Sequence, residues 1–200
     1  MRILVANSKG GTGKSTIAVN IASELAKLYS VSFLDLDFSN KTSSEFYADR
    51  DDLEYFESRS IEEIASIYKR SNYTVVDAGG WDNDIMRAVI STANVILVPY
   101  NTGDLEERAL IKFLSTVREI GTIKGNRVIL VPNRVHHSST KDTVRAKIAP
   151  LLDMGYELGE PVSQSANFSK AFNKFQTVYE YGSMTQYEQI LKITNQIKEV

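Results

Sequence analysis

Short apolar, largely β-branched runs recur along the chain at Ile3–Ala6, Val31–Leu36, Tyr73–Val76, Val95–Val98 and Val128–Val131. Runs of this length and composition predict buried strands. Between them, apolar residues return at helical spacing over Ser15–Tyr29, Ser60–Lys69, Asn83–Ser91, Leu105–Ile120 and Thr140–Leu151. Strands that alternate with helices pair in parallel through right-handed crossovers, and the helices cover both faces of the sheet. The pattern therefore predicts an α/β fold with a twisted, mostly parallel sheet. In such sheets ligands bind beyond the carboxyl ends of the strands. Polar residues gather at those ends: Lys9–Thr16 after the first strand, Asp35 and Asp37 after the second, Asp77 after the third and Asn133 after the fifth.

Composition narrows the chemistry. The 200 residues, 42% of them hydrophobic and 24% charged, suffice for one well-buried core. With four prolines and no low-complexity segment or repeat to mark a boundary, residues 1–200 read as a single domain. A net charge of −2 gives no overall drive onto nucleic acid or anionic lipid, which leaves only a local basic patch for that purpose. The lack of cysteine removes disulfides, thiolate metal sites, iron–sulfur ligation and a thiol nucleophile. The first apolar run is too short for a secretory signal and no stretch reaches membrane-spanning length, so a soluble, cytoplasmic protein is expected.

The segment Ser8-Lys9-Gly10-Gly11-Thr12-Gly13-Lys14-Ser15-Thr16 lies between a strand and a helix, the setting a phosphate-binding loop requires. Its glycines let backbone N–H groups turn inward, and the helix that follows brings a partial positive charge to its N-terminus. Lys14 can reach β- and γ-phosphates, and the Ser15 hydroxyl can take one position on Mg²⁺. The strict P-loop pattern has glycine where this chain has Ser8. Specificity comes instead from the second lysine, because Lys-Gly-Gly-x-Gly-Lys-[Ser/Thr] arises by chance in roughly one of tens of thousands of chains this long.

Lys-Gly-Gly-Thr-Gly-Lys-Ser-Thr resembles the deviant Walker A signature of the ParA/MinD ATPases. Phe33-Leu34-Asp35-Leu36-Asp37 resembles the second motif of that family, and Tyr73-Thr74-Val75-Val76-Asp77 its Walker B strand. Ser169-Lys170-Ala171-Phe172 and Thr177-Val178-Tyr179-Glu180 look like the tail of short plasmid-partition ParA proteins of the ParF type. The resemblance covers essentially the whole chain. It implies a P-loop fold, ATP and Mg²⁺ as cofactors, and an ATP-bound homodimer in which Lys9 reaches the phosphates held by the other subunit. It also implies that Asp37 positions or activates the attacking water, while Asp35 supports Mg²⁺ through water.

Asp77 opens Asp77-Ala78-Gly79-Gly80, an Asp-x-x-Gly pattern in which the carboxylate can hold Mg²⁺ through water and Gly80 can offer its N–H to the γ-phosphate; a plain strand-ending turn is the other reading. The family usually places Pro-Gln after the second Asp, where this chain has Phe38-Ser39. Trp81 is either an interface residue or packed on its own domain. Asn133 can present a donor and an acceptor to adenine, or it can stabilise a turn. His136 and His137 lack a second cluster at metal-ligand spacing and receive no chemistry.

Partition ATPases of this type bind DNA nonspecifically as nucleotide-bound dimers, and a ParB-like or ParG-like centromere-binding protein stimulates their hydrolysis. The resemblance therefore implies nucleoid association and a role in plasmid or chromosome segregation. Lys170 and Lys174, read as i, i+4 neighbours on a helix beside Phe168, Phe172 and Phe175, are candidates for phosphate contacts or are simply solvated. No helix-turn-helix precedes the first strand, which argues against operator-specific autoregulation. The alternatives are a MinD-like membrane positioner and an orphan cargo-positioning ATPase. Membrane binding would need a basic amphipathic C-terminal helix with bulky apolar anchors, whereas Tyr187–Val200 has mixed charge and neither Trp nor Phe, so no stable membrane association is expected.

Overall fold

The computed structural model describes residues 1–38, 42–79, 83–121 and 125–199. Along the chain run β1 (Arg2–Val5), α1 (Lys14–Ala26), β2 (Val31–Asp35), α2 (Thr42–Tyr47), β3 (Glu54–Glu57), α3 (Ile61–Ile67), β4 (Tyr73–Asp77) and α4 (Asp84–Thr92). They are followed by β5 (Val95–Asn101), α5 (Asp104–Ile120), β6 (Arg127–Asn133), α6 (Lys141–Lys147), α7 (Ala149–Asp153), β7 (Glu157–Leu158), α8 (Ala166–Phe172) and α9 (Met184–Lys198). The strands form one seven-stranded sheet in the order β3-β2-β4-β1-β5-β6-β7, and every pair is parallel.

Because successive side chains on a strand point to opposite faces, each central strand feeds two cores. Ile3, Val5, Phe33, Val75, Leu97 and Val131 pack with α1 and α9 on one face. Leu4, Leu34, Val76, Ile96 and Leu130 pack with α3, α4 and α5 on the other. This double burial explains why these strands read as continuous apolar runs rather than alternating ones. Helix α1 is buried on nearly every side, from Ile17 to Leu25, so it runs as an internal strut beneath the phosphate loop.

Several elements depart from the sequence expectation. The helix expected over Thr140–Leu151 is two helices that meet at Ile148. Pro150 has no N–H to donate to the carbonyl of Ala146, so the first helix cannot continue through it. Helix α8 ends at Phe172, and Phe175 has a left-handed φ of 54°. Lys174 therefore lies beyond the helix, with its ammonium 5.3 Å from the centre of the Tyr181 ring, and does not pair with Lys170 at i, i+4. Both lysines are exposed. Ser39, Gly80 and Trp81 lie outside the described residues.

Candidate functional site

The loop from Ser8 to Gly13 leaves the carboxyl end of β1 at the centre of the sheet and is fastened on both sides. Asn7, 1% exposed, donates from Nδ2 to the Pro99 carbonyl of β5 at 2.8 Å and accepts the Lys9 N–H at 3.1 Å. Asn133, at the end of β6, donates from Nδ2 to the Thr12 carbonyl at 2.7 Å and accepts the Arg134 N–H on Oδ1. Asn133 thus fastens the loop to β6 and also lines the cleft beside it. Gly11 and Gly13 take left-handed φ values of 73° and 90°. Gly13 is the N-cap of α1, which has no side-chain cap, so its first N–H groups face the loop and can serve an anion.

The two lysines of the loop point to different places. Lys14 is buried and its Nζ donates to the Lys9 carbonyl at 3.2 Å. Burial lowers its pKa, and the charges of Asp77 and Asp37 oppose that fall. Lys9 is exposed, and its ammonium has no hydrogen-bond or ion-pair partner among the described residues.

Parallel register makes Asp35 and Asp77 direct neighbours at the ends of β2 and β4. Asp37 follows one turn of chain later, its N–H donating to Asp35 Oδ1 at 2.8 Å. All three side chains are buried. Burial pushes the Asp35 carboxyl up to about 7, with the charge of Asp77 as the next cause. Burial likewise raises Asp77 to about 6, although hydrogen bonds from Ser15 and Ser43 and the charge of Lys14 pull the other way. Like charges in register destabilise a sheet unless a cation joins them.

The residues fit a divalent cation. Asp77 Oδ1 is buried and has no hydrogen-bond partner among the described residues, while Ser15 sits against the same carboxylate. No group of three or more carboxylates or imidazoles among the described residues converges to form a cage. A cation here would take its remaining oxygens from phosphates and water, as Mg²⁺ commonly does.

Two side chains that hold the acids were not singled out in the sequence. Tyr55, on edge strand β3, lies with its hydroxyl 3.1 Å from Asp35 Oδ2 and 2.9 Å from Glu57 Oε1. Ser43, in the first turn of α2, donates to Asp77 Oδ2 at 2.8 Å. Nothing in a Thr-Ser-Ser stretch or an acidic edge strand marks such roles in advance. Phe38, in the position usually held by proline, lies beneath the Arg59 guanidinium at 4.4 Å.

Beside the loop a cleft of ≈ 510 Å³ runs from Gly13 and Thr16 past Asn133 to Ser165, Ser169 and Phe172. Its size suits a nucleoside, and the loop at its end suits the attached phosphates. Lys170 lies on the solvent side of α8, whose other side helps line the cleft.

Comparison with known proteins agrees with this fold. No curated protein sequence matched. Among solved structures, apo McdA from Cyanothece superposes with a TM-score of 0.80 at 17% identity, covering 98% of each chain. A putative plasmid partition protein from Borrelia burgdorferi bound to AMPPNP gives 0.78 at 18% identity, covering 100% of this chain and 99% of that one. The septum site-determining protein MinD from Pyrococcus horikoshii, complexed with Mg-ADP, gives 0.78 at 12% identity over 99% and 96%. These likenesses establish the single α/β architecture with its all-parallel sheet. A family model described as the CobQ/CobB/MinD/ParA nucleotide-binding domain matches residues 3–178. With a phosphate loop, in-register acids and a nucleoside-sized cleft at one end of its sheet, the chain belongs to the ParA/MinD family of nucleotide-binding P-loop proteins.

Proposed function

We propose that the protein is a Mg-ATP-dependent partition ATPase of the ParA type. ATP binding joins two copies face to face over their phosphate loops, the dimer binds DNA without sequence preference, and a centromere-binding partner stimulates hydrolysis and release. The observation that carries this reading is the division of labour between the two lysines. Lys14 is folded into its own loop, whereas Lys9 stands at the solvent edge of the site with its ammonium unengaged among the described residues. A flexible point charge in that position is suited to phosphates bound by a second subunit.

Within one subunit, the N-terminus of α1 and Lys14 bind the phosphates, and Ser15, Asp35 and Asp77 hold Mg²⁺, directly or through water. The metal supplies charge neutralisation on the phosphate oxygens. Asp37 orients the attacking water, and in-line phosphoryl transfer asks for positioning more than covalent chemistry. The AMPPNP and Mg-ADP carried by the Borrelia and Pyrococcus structures support the choice of nucleotide and metal.

A Lys9→Ala variant is expected to keep ATP binding and lose ATP-dependent dimerisation in analytical sedimentation. Unchanged dimerisation would overturn the two-subunit reading. Membrane positioning in the manner of MinD is disfavoured by α9, whose Ile190, Ile193 and Ile197 are buried in the core and so unavailable to lipid. DNA mobility shift and liposome flotation, each with and without ATP, separate the two; ATP-dependent flotation without a DNA shift would reverse the assignment.

A further inference from the structure

We propose that Ser43 is a positioning residue for the metal carboxylate, so that α2 belongs to the Mg²⁺ site. This inference rests on the reading of Asp77 as the carboxylate that serves Mg²⁺. Ser43 and Asp77 lie 34 positions apart, yet Ser43 Oγ donates to Asp77 Oδ2 at 2.8 Å, and each residue is 1% exposed. The other oxygen, Oδ1, is the buried atom left without a partner. A carboxylate fastened through one oxygen presents its second oxygen in a fixed direction. Because the fastener is a neutral hydroxyl rather than an ammonium, the full negative charge stays available to a cation.

The fastener is itself held. Tyr47, at the far end of α2, donates from its hydroxyl to the Val19 carbonyl of α1 at 3.3 Å and packs its ring 4.8 Å from that of Phe33. Phe46 packs 5.2 Å from Phe172 of α8. The hydroxyl of Ser43 is therefore anchored against the strut under the phosphate loop and against the helix that walls the cleft. Removing it leaves Asp77 Oδ2 without this donor in a place water does not reach, with Ser15 as the one hydroxyl still against the carboxylate among the described residues.

The test is binding of a fluorescent ADP analogue (mant-ADP) to the full chain, first in EDTA and then along a MgCl₂ titration. Ser43→Ala is expected to leave affinity in EDTA within about twofold while raising the Mg²⁺ concentration for half-maximal enhancement about tenfold or more, the range seen for outer partners of metal ligands. In an Asp77→Asn background the same substitution should add nothing, because its effect passes through the carboxylate. A Ser43→Cys variant, which keeps the shape with a somewhat larger atom and weakens the donor, carries the same expectation should the alanine variant not fold. An unchanged Mg²⁺ titration, an equal loss in EDTA and in Mg²⁺, or an additive loss in the Asp77→Asn background would each overturn the role of Ser43. If Asp77→Asn itself leaves the Mg²⁺ titration unchanged, the metal assignment of Asp77 falls, and the inference falls with it.

Discussion

A methyl group at position 13 would stand 2.2 Å from Asn133 Nδ2, the atom that fastens the phosphate loop to β6. Gly13 also has φ 90°, where a side chain is strained. Gly13→Ala is thus expected to break the Asn133 to Thr12 hydrogen bond and weaken nucleotide binding about 100-fold, on the scale of a one-ångström misplacement. Gly11 has φ 73° but open space around the position of its missing Cβ. Gly11→Ala should cost only about 1–2 kcal/mol of stability from the left-handed backbone. Comparing the two variants by calorimetric titration and thermal melting checks the difference; equal effects would contradict the collision argument.

The raised carboxyl pKa of Asp35 has a definite sign in stability. An acid whose folded pKa, about 7, exceeds its unfolded value binds more protons when folded. Its contribution is therefore fully present below pH 4 and is lost as pH rises through 7. For the metal-free protein this amounts to a few kcal/mol, about 4 at most. Asp35→Asn should accordingly stabilise the metal-free protein at pH 8 and leave it nearly unchanged at pH 4, measured as the difference in denaturant midpoints between variant and wild type. Saturating Mg-nucleotide should shrink that difference, because the cation then balances the charge. A pH-independent difference would refute this account.

The central elements were legible in the sequence because they are buried on two faces. Runs such as Val95–Val98 and Val128–Val131 leave no alternation to misread, and the helix after Gly13 carries its apolar residues in a continuous band. The edges were not legible. Strand β3 is Glu-Tyr-Phe-Glu, half-exposed with acids at both ends, and it owes its conformation to pairing with β2 rather than to its own composition. Strand β7 spans two residues, and α2 is six residues drawn from a Thr-Ser-Ser start, too short to display a period. The site shows the same division. Lys9, Lys14, Asp35, Asp37, Asp77 and Asn133 were singled out because each lies at or just beyond the carboxyl end of a strand. Ser43 and Tyr55 sit on the elements that local pattern misses, and tertiary packing alone brings them to the acids.

Helix α9 permits a test at the level of one element. Ile193 is fully buried in the core shared with α1, so Ile193→Ala should destabilise the fold by about 2–5 kcal/mol through the lost transfer energy and the cavity left behind. Nucleotide affinity of the folded fraction should stay near that of wild type, since α9 does not line the cleft. Denaturant titration paired with mant-ADP binding measures both. Destabilisation below about 1 kcal/mol would mean that the helix is only loosely docked.

For the whole molecule, the net charge of −2 has to be reconciled with the DNA binding proposed above. Association must then rest on a local cluster of lysines and arginines contacting phosphates, and it should be strongly salt-dependent. Mobility shifts with ATP should weaken about tenfold or more between roughly 50 and 200 mM salt and show little preference among duplex sequences. Salt-insensitive binding would point to contacts of another kind. The proposed pairing of two such acidic monomers over anionic phosphates would also need positive charge at the seam, the part proposed for Lys9.

The phosphate loop is braced against two strands at once, by the bond from Asn7 to the Pro99 carbonyl of β5 and by Asn133 at the end of β6. Two independent braces leave the loop little freedom to lose when a ligand arrives, so the entropic toll of ordering is met during folding rather than at each encounter. The consequence is kinetic. Capture of the polyphosphate should follow a single exponential whose rate climbs linearly with nucleotide concentration, with no plateau from a slow preceding rearrangement. Cutting one brace with Asn133→Ala should introduce that plateau. The protein would then wait for its own loop before it could take up its fuel.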